Sequence, residues 1–360
     1  MSVFIPKIEP LARLKLSAAP IPRPRWGAIG FFLLIGLLTP WMLVRFGSGS
    51  FYLGIVISIM LWAVVAQAWH LILGVAGIYS FAQIAILAIG GWVTGVLTVS
   101  YGWNPWLSVL VAALAATLAS LVIGIPSLRL RGIYVVLLTL SFHELLANYV
   151  TTGPYMISGG GYGIVGVPHL PIPALSSSWQ VGAYYIALVV FVLATWSIWW
   201  IMHSPVGYAC MAMRDSEAYA ASRGINQFRV RLVLFAFSGF LTGLAGAVLT
   251  HYQGSISPSI FEFTVLINVF AMIVIGGWGN FLGPIVGAVL LITLEEVLTQ
   301  FSGFSALTLG ILLVLMVLLA PLGIWPAVAK LGKWLAGGDG EPDEDIESDV
   351  DHPQQEEARE

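Results

Sequence analysis

Pro105-Trp-Leu-Ser-Val-Leu-Val-Ala-Ala-Leu-Ala-Ala-Thr-Leu-Ala-Ser-Leu-Val-Ile-Gly-Ile125 runs for twenty-one residues without a charge. At 1.5 Å per residue a helix of that length covers about 30 Å, the thickness of a bilayer's hydrocarbon layer. Comparable runs occupy residues 28–44, 51–73, 78–99, 132–150, 181–202, 232–251 and 306–325. Across 360 residues, 58% are apolar and only 9% charged, against about 25% charged in an ordinary soluble domain. A soluble core cannot hide so much apolar surface. The sequence therefore predicts an all-α integral membrane protein.

The region 263–301 is long but interrupted. Gly276-Gly277-Trp278-Gly279-Asn280, followed by Gly283-Pro284, argues against one straight helix. Two shorter helices meeting at a Gly-rich break fit better, and such breaks persist at membrane depth only where they are buried or face water. Counting both predicts ten spans. With the N-terminus in the cytosol, fourteen of the fifteen Lys and Arg residues then fall on the cytosolic side, and only Arg45 falls outside, as the positive-inside rule requires. Nine spans would move Lys330 and Lys333 outside.

The ends of the chain differ from its body. Residues 1–27 form a basic leader that reads as cytosolic rather than as a cleaved signal. Residues 329–360 form a cytosolic tail, and from Asp339 onward it holds eleven of the eighteen acidic residues with almost nothing apolar. Such a segment has too little to bury to order itself. Between them lies a transmembrane domain, 28–328. It carries an external loop at 151–180 without a single charged residue and a basic cytosolic loop at 203–231.

The 203–231 loop is the most informative. Asp215 or Ser216 is suited to cap a helix, Ala218, Ala220 and Ala221 favour one, and Gly224 can take the left-handed conformation that ends it. Glu217 near the start and Arg223 near the end suit the helix dipole. A rigid helix of about two turns, roughly 12 Å long, is predicted there.

In this setting the chain resembles the permease subunits of bacterial ABC importers for branched-chain amino acids (LivM-like), or a urea/amide or related-solute branch of them. Glu217-Ala218 with Gly224 resembles their "EAA" coupling loop, flanked by Ser204-Pro205-Val206-Gly207, Arg214 and Gly224-Ile225-Asn226. Leu128-Arg129-Leu130-Arg131-Gly132-Ile133-Tyr134, Gly243-Leu244-Ala245-Gly246-Ala247 and Gly276-Gly277 with Gly279, Gly283-Pro284 and Gly287-Ala288 fit the same pattern, so the resemblance runs from about 61 to 298. It implies an ATPase-coupling helix built on Arg214, Asp215, Glu217, Ala218, Ala221 and Gly224. It also implies two cytosolic ATP-binding subunits, a second homologous permease chain and an external solute-binding protein. No cofactor and no nucleic-acid partner is implied. The sequence departs from the family at Gly77-Ile78-Tyr79-Ser80-Phe81-Ala82-Gln83 and at Phe142-His143-Glu144 with Ala147, where the family often shows other residues.

The remaining chemistry is sparse. The four lysines precede Ile8, Leu16, Leu331 and Trp334, so no phosphate-binding Gly-x-x-x-x-Gly-Lys-Ser/Thr motif exists and ATP hydrolysis is expected in another chain. Cys210 is the sole cysteine and reads as a packing residue. Ionisable groups inside spans are functional candidates because their burial is costly. Glu144 and Asn148, four apart on one helix face, are candidates for lining a pathway or gate, with Ser80, Gln83, Gly276, Gly277 and Gly279. Few fixed charges in the spans suit a neutral or zwitterionic solute. A proton-coupled secondary transporter using Glu144 and His143 is the alternative.

Overall fold

A computed structural model describes residues 49–154, 159–172, 179–277 and 280–299, with positions 40 and 310 besides. The predicted leader, the spans at 28–44 and 306–325 apart from those two positions, the acidic tail and Gly279 lie outside the described residues.

Ten helices are labelled in chain order. They are α1 (Gly49–His70), α2 (Gln83–Gly95), α3 (Pro105–Ser127), α4 (Ile133–Thr152), α5 (Trp179–Met202), α6 (Pro205–Asp215), α7 (Glu217–Ser222), α8 (Gln227–Gln253), α9 (Phe263–Gly276) and α10 (Gly283–Thr299). α1 continues through a π-helical turn at Leu71–Val75, and α2 through another at Val96–Ser100. Among the described residues, six helices are long and apolar enough to cross a membrane: α1, α2, α3, α4, α5 and α8. α9 is apolar but only 14 residues long, about 21 Å. The chain is thus a multi-pass all-α membrane protein.

α8 is the central helix. It packs against α1, α2 and α3 together, whereas α5 lies on α1 and α10 joins α1 to α9. Two-thirds of its apolar window (67%) is buried, against 22% for α4, so α4 lies at the edge with an open face. Lipid tails are as apolar as leucine, so contact between spans depends on close fit and internal hydrogen bonds rather than on hydrophobic expulsion. α8 supplies that fit with small residues. A Cβ on Gly246 would land on the Leu87 carbonyl of α2, and one on Gly90 would land on the Gly243 backbone. Nothing larger than hydrogen fits where α2 and α8 touch.

Polar side chains complete the seam. Gln83 donates to Ser238 (3.0 Å) and to Thr242, and Ser238 donates to the Ala68 carbonyl at 2.6 Å. Thr94 bridges Ser108 and His251 at 2.9 Å each. His251 Nδ1 donates to the Pro168 carbonyl at 2.6 Å, which leaves Nε2 as the acceptor for Thr94.

The 151–180 loop does not hang free. Its strand β1 (Ile164–Val165) pairs antiparallel with β2 (Ser255–Ile256), Ile164 opposite Ile256. The Gly166 and Val167 amides donate to Gly254, and Trp106 Nε1 donates to Pro171. Its described segment 159–172 therefore lies across that end of the bundle beside the α8–α9 connection.

The interruption after α9 is real. Gly277 sits at φ +116, and Gly276 is pressed so tightly on Gly283 that a side chain there would strike the Gly283 carbonyl. At the end of the bundle opposite the 151–180 loop, the 203–231 loop holds two helices, α6 and α7, where the sequence predicts one short helix. Ser204 accepts from the Gly207 amide, and Pro205 occupies the first turn of α6, positions that favour helix initiation. Cys210 lies fully buried on α6. Burial pushes its thiol up to about 12, with Arg231 opposing.

Two outcomes follow. Gly246→Val should cost at least about 1–3 kcal/mol through overpacking, read as a lower thermal midpoint and aggregation on gel filtration of the detergent-solubilised chain. Cys210, neutral throughout the physiological range because its raised pKa lies far above it, should resist N-ethylmaleimide at pH 8 in the folded protein and react fully once denatured.

Candidate functional site

The loop end of the bundle is built around Ser216. This residue ends α6 and caps α7, its hydroxyl accepting from the Tyr219 amide at 3.3 Å; of the two candidate caps, Ser216 is the one used. Asp215 is the last residue of α6. α7 spans six residues and ends ahead of Gly224, which adopts φ +79 in open space. Asn226 then caps α8 by accepting from the Arg229 amide at 3.1 Å.

One face of α7 is held and the other displayed. Ala220 is buried, while Ala218, Tyr219, Ala221, Arg223 and Gly224 are exposed. Arg223 reaches back to the Tyr219 hydroxyl at 2.9 Å. The display is small, apolar and aromatic with one cation, and Tyr208 of α6 is exposed nearby in sequence.

Three fastenings tie this loop to the spans. Arg231 of α8 donates to Glu217 Oε1 at 2.6 Å, and Arg131, in the α3–α4 linker, stands 4.0 Å from Oε2. Gln227 of α8 donates to the Glu217 carbonyl at 3.0 Å. Arg214 of α6 donates to the Gly74 carbonyl at the end of α1, at 2.8 Å. Glu217 thus reaches inward to α8, rather than standing free on the displayed face. The pairing of Glu217 with Arg131 and Arg231 was not readable from sequence spacing: the partners lie 86 and 14 positions away and are joined only by the fold.

The candidate pathway residues fall in different places. Ser80 and Gln83 are buried. Ser80 lends its carbonyl to Trp69 Nε1 at 2.7 Å, and Gln83 is committed to α8. Beside them Trp69, Phe81 and Phe270 form an aromatic cluster with centroids 5.6–6.0 Å apart, and the Phe81 amide donates to Thr139 of α4. The 76–82 connection is non-helical and turns at Gly77, φ +66. Gly276 and Gly277 form the break described above and are buried.

α4 carries the other two. His143 faces inward and donates through Nε2 to the Phe261 carbonyl at 2.9 Å. Glu144 and Asn148 lie on the open face, together with Ser141. A carboxylate on the outer flank of a span is costly against lipid. This face of α4 therefore needs a polar neighbour, whether protein or a water-filled path. Among the described residues there is no cluster of His, Cys, Asp or Glu able to hold a metal.

Comparison with known proteins agrees with this architecture. The chain is 29% identical over 317 residues to the high-affinity branched-chain amino acid transport system permease protein LivM of Salmonella typhimurium, covering 82% of this chain and 73% of that one. It is 29% identical over 290 residues to the LivM protein of Escherichia coli, covering 74% of this chain and 68% of that one. The ribose import permease protein RbsC of Haemophilus influenzae is 29% identical over 170 residues, 45% of this chain and 47% of that one. These relatives are named as transport permeases. No solved structure matches. The family described as the permease component of branched-chain amino acid transport systems matches residues 51–320, which is most of the chain and takes in every described helix but the first two residues of α1: the chain belongs to that family.

Proposed function

We propose that this chain is the membrane-spanning permease subunit of an ABC importer. It carries a branched-chain or other hydrophobic amino acid, or a similar small neutral or zwitterionic solute, across the bacterial inner membrane. The observation that carries the reading is the 203–231 loop: a short capped helix, exposed on one face and fastened by Glu217 and Arg214 to α8 and α1 on the other. A partner that seats on Ala218, Tyr219, Ala221 and Gly224 can move two spans at once. The termini and this loop lie in the cytosol.

The motor is a separate pair of ATP-binding subunits. Switching a two-state bundle from 1:99 to 99:1 takes about 5.5 kcal/mol of differential binding, and the sequence holds no nucleotide motif to supply it. An external binding protein delivers solute to the end that carries the 151–180 loop. A second, homologous permease chain covers α4, so that Glu144 and Asn148 face the path between the two chains. The relatives' names support an amino acid as cargo, and the low charge of the spans favours a solute without net charge. A proton-coupled transporter using Glu144 and His143 has less support, since His143 is tied inward to Phe261 while Glu144 lies on the open flank.

Gly224→Val forces a β-branched residue to φ +79, at a local cost of about 1–2 kcal/mol. In proteoliposomes with the ATPase partners it should abolish solute uptake while ATP hydrolysis continues and the chain stays inserted; normal uptake would remove the coupling assignment. Because Cys210 is out of reach, Asn148→Cys provides a single reactive thiol. In the assembled importer a water-soluble methanethiosulfonate should label it and block uptake, and protection by added solute would place it in the pathway. Labelling that leaves uptake intact counts against the α4 assignment.

A further inference from the structure

Between α7, the α3–α4 linker and the turn at Gly77 lies a cavity of about 240 Å³. That is smaller than the roughly 300–1,000 Å³ of sites for drug-sized molecules and matches a ligand of a few heavy atoms. Its polar wall is Glu217, Gln227, Arg131 and Arg231, and its apolar wall includes Ile78, Leu128, Leu130 and Val135.

The charges in this wall do not balance. Two guanidinium groups share one carboxylate, which leaves one net positive charge. Arg231 is largely buried, at 15% side-chain exposure, and spends Nη2 on Glu217, yet its Nε is enclosed with no hydrogen-bond partner. That atom is closed off from the cavity, so the contact open to a ligand is the accessible edge of the Arg231 guanidinium. Arg131 holds Glu217 only at 4.0 Å and is otherwise open, with 92% of its side chain exposed, so it is free to turn toward a second anion. Planar guanidinium donors match carboxylate geometry.

We infer that this cavity binds a small organic carboxylate, held by Arg131 and Arg231, with its apolar body against Ile78, Leu128, Leu130 and Val135. In an α-amino acid, the ammonium group would meet Glu217. The bound ligand would bridge Arg131, Arg231 and Glu217 and hold α7, α8 and the α3–α4 linker in one arrangement. Resting on the importer reading above, the site gives the accumulated solute a means to slow its own uptake from the cytosolic side.

The test uses the full-length chain in lipid nanodiscs and amide hydrogen exchange read by mass spectrometry. L-leucine and isovalerate, which share the carboxylate, should slow exchange across residues 127–132 and 217–227. Isopentylamine, which lacks it, should not. Arg131→Ala, a surface change that leaves the Glu217–Arg231 pair in place, should raise the leucine concentration needed by about tenfold or more, and Arg131→Lys should recover part of that. Protection by the amine as strong as by leucine, protection by inorganic phosphate at lower concentration than by leucine, or no effect of leucine in these segments each overturns the carboxylate site. The result is separable from the importer reading. Local protection without ATP-driven uptake in the reconstituted complex would keep the site and remove the importer, and uptake without protection would do the reverse.

Discussion

The contact of α8 with its neighbours is the constraint on which the rest of the structure depends. Within a bilayer there is no water to repel apolar side chains from one another, so helices adhere only where their backbones approach closely and their polar groups find partners inside. α8 meets α2 where Gly90 faces Gly243 and Gly246 faces Leu87, and the same seam is bonded through Gln83, Ser238 and Thr242. Once this seam is formed, α1 and α3 are placed around α8, and α5, α9 and α10 follow around α1. α4 is left at the margin, with Glu144 and Asn148 on its otherwise largely apolar open face.

The same helix links the two ends of the molecule. At one end α8 begins beside Glu217 and Gln227, in the fastening that holds α7. At the other it ends in His251, bonded to Thr94 and to the Pro168 carbonyl of the long loop, and in Gly254, which accepts from Gly166 and Val167. On the importer reading proposed above, a displacement of α7 would pass to a rod whose far end is bonded to the long loop. Coupling across a membrane requires some element of this kind with two discrete arrangements, and a helix packed on glycine contacts can slide or tilt without having to pull interlocked side chains apart.

Much of this was legible in the sequence, for physical reasons. Charge-free runs of membrane-spanning length identify α1, α3, α5 and α8 because the bilayer imposes both length and composition. The break at Gly276-Gly277 was readable because glycine and proline act locally. So was the helix start at Ser216, which depends on one hydroxyl and the amides just beyond it. The first helix of the 203–231 loop was missed. Its composition is mixed, and its signal, Ser204 followed by Pro205, served only as a family motif. The roles of Gln83 and Glu217 were least legible. Each is defined by partners far along the chain, Ser238 and Thr242 for one and Arg231 and Arg131 for the other, and no local pattern encodes such a meeting.

Glu217 shows how a shared motif can combine two tasks. In a loop that docks on a motor, a carboxylate facing the partner would add a charged contact at the surface, where solvent screening leaves it worth little. Here it faces α8 instead, against a largely buried guanidinium that would otherwise lack a counter-charge. Removing that carboxylate would leave Arg231 enclosed and unpaired, which costs far more than losing a surface pair. The acidic residue of the motif therefore makes the helix part of the bundle, and the residues around it, Ala218, Tyr219, Ala221 and Gly224, are left exposed. A lever has to be fixed to its load more firmly than to its driver; on the reading proposed above, the division of α7 into a bonded face and a displayed face meets that requirement with six residues.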